Sequence, residues 1–260
     1  SEIFYWVGKG DPPLLTTGDN HEGWVEIWNN VFMEYNKTTD GKYESLDQKN
    51  VDTGMGVERT ITVLNGKDNV FDTDIFQHLM EKIKKLENKE DKKAERIISD
   101  HIRAAVFILG DQKCIPPSNV GQGYVLRKLI RRAIRYGKLL GIEKSFLTGL
   151  SKVVIDQMSG DYPELLENKD FIEKYLKLEE ERFGKTLEKG LEEFEKISSG
   201  DISGKDAFLL FSSYGFPLEM TVELGKEKRL NVDTKGFEEE FKKHQELSRT
   251  ESGDRFKGGL

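Results

Sequence analysis

The stretch "VDTGMGVERT", residues 51–60, sets two glycines between a strand-like run and a helix-like one, with an aspartate before them and an arginine after. Gly54 and Gly56 let a backbone approach a ligand with no Cβ in the way, and the free N–H groups of a following helix suit an anion. Arg59 adds a planar, permanently charged fork matched to phosphate oxygens, while Asp52 suits an ammonium group or a bound cation. A ligand carrying both phosphate and amine would use all four residues. The same ten residues also fit a tight strand-to-helix turn in which Asp52 caps the helix and Arg59 makes a surface pair, and by themselves they leave both readings open.

A second chemical feature lies in the segment from Gln112 to Ile142, which has no acidic residue but carries Lys113, Arg127, Lys128, Arg131, Arg132, Arg135 and Lys138. The chain as a whole has a formal net charge of -7, so positive charge is concentrated here. Leu126, Leu129, Ile130, Ala133 and Ile134 form an apolar stripe at helical spacing, and the cations are expected on the other face. An exposed helix ordinarily mixes signs to make i,i+4 pairs, whereas phosphate binding rewards a single sign through counterion release. The segment therefore reads as an RNA-facing ridge, with a solvated surface as the alternative. Asn119, in the "PPSN" loop before the helix, is placed to reach a groove edge while arginines grip the backbone.

These residues need a scaffold, and the pattern implies an α+β one. Residues 2–7 and 24–35 are rich in aromatic and β-branched types and read as strands, with a turn-rich connection between them and a hairpin signal at Asp40-Gly41. From Val57 onward helical spacing takes over, near 57–64, 74–87, 92–110, 121–140, 144–158, 163–198, 204–213, 218–228 and 234–250. Thr73 and Ser203 are candidate N-caps, and Asn65-Gly66 and Ser199-Gly200 are stops. The organisation expected is a strand-rich portion over 1–68 and a helical domain over 69–260, with a subdivision near 198–204. The glutamate run "LEEERF", residues 178–183, reads as a solvated face of a long packing helix, and His101 as a core or interface residue.

Composition excludes several classes. The 260 residues and 36% hydrophobic content can bury a substantial core, and no run approaches the roughly 18 apolar residues of a membrane helix. The opening "SEIFYWVGKGDPP" has neither a basic start nor an apolar signal core, so a cytoplasmic setting is expected, and one cysteine and four scattered histidines offer no internal disulfide and no structural zinc. The chain opens without an initiator methionine on an apolar run, which suggests a start inside a larger fold.

"VDTGMGVER" resembles the third signature motif of class II aminoacyl-tRNA synthetases in the form that alanyl-tRNA synthetases carry, and "SEIFYW" with "EIWNNVFMEYN" resembles the strands before it. The likeness continues through "DHIRAAVFILGD", "PPSNVGQGYVLRKLIRRAIRYG", "EEERFGKTLEKG" and "YGFPLEMT" to "FKGGL". It implies the end of a class II antiparallel sheet followed by a helical tRNA-recognition domain. It further implies that Gly54, Gly56 and Arg59 bind ATP, that Asp52, Asn29 and Val31 bind alanine, and that ATP and magnesium are the cofactors. A small pocket at Val31 would select a methyl side chain by excluding larger ones.

The same resemblance implies tRNA(Ala) as partner, its acceptor stem read at the positions of Asn119 and Ser212, and the basic segment adds Arg127, Lys128, Arg131, Arg132 and Arg135 as expected contacts to the RNA backbone. Ser212 stands where the family has an aspartate, in "FSSYGFP", and brings a shorter, neutral hydrogen-bonding group to the recognition of a G·U pair. Two earlier class II motifs and an editing domain have no counterpart in these residues. The function implied is part of an alanine–tRNA ligase, incomplete for alanyl-adenylate formation by itself; the alternatives are one half of a split synthetase and a non-catalytic acceptor-stem-binding module.

Overall fold

The computed structural model describes the backbone of residues 1–14 and 23–255 and the side chains of those up to residue 246. Residues 15–22 of the expected turn-rich connection and the "FKGGL" block lie outside the described residues. Backbone contacts divide the chain into two compact units, Ser1–Met80 and Glu81–Leu260, so the division falls within one helix.

The first unit contains an antiparallel sheet of order β1-β2-β3, from Glu2–Trp6, Trp24–Lys37 and Tyr43–Met55. Asp40-Gly41 makes the β2–β3 turn, where Gly41 has φ +86° and the Thr38 N–H donates to the Lys42 carbonyl at 2.9 Å. β2 runs two residues past its expected end because β3 pairs with it out to Lys37↔Tyr43. Helix α1, Val57–Leu64, follows β3 after one residue, and Asn65 with Gly66 at φ +59° ends it. A single 3₁₀ turn at Val70–Asp72 precedes α2, Asp74–Lys84.

The second unit is helical: α3 Lys92–Gly110, α4 Gly121–Leu139, α5 Leu147–Met158, α6 Glu164–Glu167, α7 Lys169–Ile197, α8 Gly204–Tyr214, α9 Leu218–Glu227 and α10 Thr234–Arg255. Two expectations are corrected. The helix expected over 163–198 breaks at Asn168, which leaves helical geometry and donates its amide to the Gly110 carbonyl at 3.0 Å. The helix expected from 144 begins only at Leu147, because the Glu180 carboxylate of α7 takes up the Phe146 and Leu147 amides at 2.9 and 3.3 Å. Ser203 caps α8 as expected, accepting from the Asp206 N–H at 3.2 Å.

α4 packs on α3 and α7, the two helices that between them touch most of this unit. Leu126, Ile130, Ala133 and Ile134 are buried, as their spacing requires, and α7 contributes Ile172, Leu176, Phe183, Leu187 and Phe194 to the same core.

Candidate functional site

Strand register decides which residues of the first unit share a face. Val31 lies opposite Asp52 and Asn29 opposite Gly54 on the β2–β3 ladder. Residues directly opposite in an antiparallel pair point to one side, as do residues two apart along a strand, so Asn29, Val31, Asp52 and Gly54 line one face. Residues one step away take the other: the Trp28 indole N–H donates to Thr53 Oγ1 at 2.5 Å, and the Thr53 hydroxyl donates to Asn30 Oδ1 at 2.9 Å. Val31 is exposed, and Asn29 sits within β2.

Asp52 does not cap α1. It belongs to β3, and the N-cap is Gly56, with no side-chain hydrogen bond to the first turn. A Cβ at Gly56 would come within 3.2 Å of the Arg59 side chain, so the bare glycine lets that side chain lie back along the turn. Arg59 Nη1 donates to the Glu26 carbonyl at 3.1 Å and stands 4.0 Å from the Glu26 carboxylate, while 56% of the side chain stays exposed. An exposed arginine, an uncapped helix start and a carboxylate thus follow one another within eight residues.

The second unit treats its cations differently, and the expected free ridge on α4 is corrected. Arg127 and Arg131 are 15% and 13% exposed, and both reach Glu179 Oε1, Arg131 through Nε at 2.6 Å and Arg127 Nε at 3.3 Å. The Arg127 contact is electrostatic only, since the buried Nε makes no hydrogen bond. Lys128 pairs with Glu219 at 2.9 Å and Lys138 with Glu188 at 2.6 Å. Arg132 makes a two-pronged contact to Glu223, at 3.0 and 2.6 Å, and its Nη1 donates to His101 Nε2 at 2.8 Å. Arg135, 5% exposed, donates to Glu227 at 2.6 Å.

The partners come from α7 and α9, 48 to 92 residues away, which is why a local count of acids missed them. A signal was nevertheless present: Glu219, Glu223 and Glu227 recur every four residues on α9, complementing Lys128, Arg132 and Arg135 on α4. The "LEEERF" run is corrected for the same reason, because Glu179 and Glu180 are buried against arginines and helix-start amides.

These contacts shift protonation. Burial pushes the Glu223 carboxyl up, but the Arg132 and Tyr136 hydrogen bonds outweigh it and hold the group at about 2. Burial, helped by the hydrogen bond to Glu223, pushes the Tyr136 hydroxyl up to about 12. Burial lowers the Arg131 pKa, and the adjacent Glu179 carboxylate opposes that shift.

The fold does bring Asn119 and Ser212 together. Both line one cavity of about 280 Å³ with Tyr124, Arg127, Arg131 and Gly215. Gly123 lets the start of α4 lie against the "PPSN" loop, since a Cβ there would meet the Pro116 carbonyl at 2.5 Å. The Arg127 guanidinium donates to Asn119 Oδ1, and also to the Pro117 carbonyl at 3.3 Å. An arginine has only donors, so this contact turns the Asn119 Nδ2 amide away from Arg127 as its remaining donor.

Among the described residues no group of three or more His, Cys, Asp or Glu side chains converges to hold a metal ion. No described helix is long and apolar enough to cross a membrane.

The family model described as "tRNA synthetases class II (A)" matches residues 1–257. The chain belongs to the class II (A) tRNA synthetase family. Among its relatives in that family, it is 51% identical over 247 residues to the alanine–tRNA ligase of Borrelia hermsii, covering 91% of this chain and 42% of that protein. It is 46% identical over 276 residues to that of Treponema pallidum, covering 100% of this chain and 45% of the relative. For Treponema denticola the figures are 50% over 274 residues, covering 100% and 46%. The chain thus spans less than half the length of the curated relatives it matches.

Proposed function

We propose that this chain is the part of an alanine–tRNA ligase that supplies the third class II signature motif and holds the tRNA acceptor stem. The observation that carries the reading is the register that sets Asn29 and Val31 against Gly54 and Asp52, directly before an uncapped helix start and Arg59. In the reaction, an alanine carboxylate oxygen attacks the α-phosphorus of ATP and pyrophosphate leaves; a hydroxyl at the tRNA end then attacks the acyl carbon and AMP leaves. Asp52 would accept from the alanine ammonium, Asn29 and Val31 would bound its side chain, and Arg59 with the Gly54–Gly56 backbone would hold phosphate oxygens. ATP fits this turn through its phosphates. Magnesium would bridge the nucleotide phosphates, as it does where one or two carboxylates and substrate oxygens share the ion.

The acceptor stem would present a base edge to the cavity shared by Asn119 and Ser212, with Arg127 and Arg131 in its wall and Lys128, Arg132 and Arg135 elsewhere on α4. Residues 1–68 would then close the catalytic domain and 69–260 form the tRNA-recognition domain. The setting proposed is cytoplasmic.

Alanine-dependent pyrophosphate exchange tests the reading. The chain by itself should show none, exchange should appear once the amino-terminal half of the relatives is supplied, and Arg59→Ala should then lower the rate by about a hundredfold. Robust exchange by the chain alone would overturn its incompleteness, and an unchanged rate in Arg59→Ala would overturn the phosphate role.

A further inference from the structure

Glu179 is a buried carboxylate in the middle of α7, a helix that carries none of the residues assigned above to alanine, ATP or RNA. Its Oε1 faces two guanidinium groups, Arg127 and Arg131, four residues apart on α4. Each of these arginines uses its other end to hold a different loop. Arg127 donates to Asn119 and Pro117, ahead of α4, while Arg131 donates to the Gly215 carbonyl, just after α8. Gly215 has φ +74°, and a Cβ there would collide with Arg131 Nη1, so backbone and guanidinium are in close contact. Asn119 and Ser212, which border the cavity from those two sides, are therefore tied to a single carboxylate through two arginines.

We propose that Glu179 is a positioning residue for acceptor-stem discrimination, setting through Arg127 and Arg131 the placement of Asn119 relative to Ser212. This rests on the reading of the cavity as the acceptor-stem site. The chemistry is direct. Two guanidinium groups so near each other repel, and one buried carboxylate between them lets both keep fixed orientations. With Arg127 fixed, its donors hold Asn119 Oδ1, so the amide offers Nδ2–H to an acceptor on the RNA. Without the charge, Arg127 is free to swing toward solvent and the amide loses its imposed orientation.

The full chain is tested with two RNA hairpins that differ only in a G·U or a G·C pair at the position read in the acceptor stem. Glu179→Gln keeps the volume and removes the charge. It should lower the ratio of G·U to G·C affinity by about fivefold, with a smaller change in affinity for the G·C hairpin. Glu179→Asp should restore part of the ratio, which a purely space-filling role would not. In the absence of RNA, the side-chain amide signal of Asn119, assigned by its disappearance in Asn119→Ala, should move in Glu179→Gln.

Both changes are required, and a folded Glu179→Gln that lacks either one overturns the proposal. The cavity reading fails separately: if Asn119→Ala also leaves the ratio untouched, that reading falls, and the amide signal alone decides whether Glu179 orients Asn119. Should Glu179→Gln not melt cooperatively, Arg127→Lys takes its place, because it keeps the charge but loses the fork that spans Asn119 and Pro117. A lowered ratio in that variant supports the positioning route, and an unchanged ratio overturns it.

Discussion

Arg59 in the strand-rich unit and Arg131 in the helical unit are the same residue type put to opposite uses. Arg59 keeps more than half of its side chain in solvent and leans on one backbone carbonyl, whereas Arg131 is 13% exposed, paired with Glu179 and bonded to Gly215. The first unit arrays its candidate residues by strand register and leaves Val31, Asp52, Gly54 and Arg59 exposed, with Asn29 and Gly56 half-buried. The second neutralises the cations of α4 with carboxylates from other helices. A charged residue that is held loosely costs little when removed and is available to a ligand; one that is buried and paired acts first on the fold.

Stability separates the two most strongly. Arg131→Ala leaves the buried Glu179 carboxylate short of a partner and should lower the unfolding free energy of the helical unit by about 3 kcal/mol in chemical denaturation. Arg59→Ala should change stability by less than about 0.5 kcal/mol. Equal losses for the two would break the comparison.

Arg132 and Glu223 provide the next test. A double-mutant cycle of Arg132→Ala and Glu223→Ala should return a coupling of about 1–2 kcal/mol, given the two-pronged contact at 3.0 and 2.6 Å. A coupling near zero would mean that the α4–α9 pairs are no tighter than ordinary surface pairs.

Acid sharpens the same point. The Glu223 carboxyl is held at about 2, below its ordinary 4.5, so its stabilising effect is complete above 4.5 and is lost as the pH falls toward 2. Thermal melts taken from pH 5 downward should show a shallower acid loss in Glu223→Gln than in the unsubstituted chain. Identical slopes would remove Glu223 from the acid response.

The smallest effect concerns salt. If the α4 cations are already neutralised internally, binding of an acceptor-stem hairpin should depend on salt through only about two phosphate contacts, not one for each cation. Lys128→Ala, at the more exposed edge, should flatten the plot of log affinity against log salt by less than one unit. A slope matching all six cations of α4 would show that RNA breaks the internal pairs and would restore the open ridge.

Much of this protein was legible in its residues. The β-rich start, the hairpin at Asp40-Gly41, the α1 start after Gly56 and the apolar stripe of α4 follow from local periodicity and turn chemistry, which act within a few residues. The motif blocks of the synthetase family are likewise contiguous stretches and can be read in order. The break at Asn168 and the late start of α5 were not legible, because each depends on a hydrogen bond to a residue far along the chain. The fate of the basic segment was decided in the same way. That α4 carries many cations is a property of the sequence, but whether they face solvent or Glu179, Glu219, Glu223 and Glu227 depends on which helices pack beside it. Charge pairing acts over a few ångströms in space and is indifferent to separation along the chain, so tertiary structure alone turned an apparent binding ridge into an internal scaffold and brought Asn119 and Ser212 to one cavity.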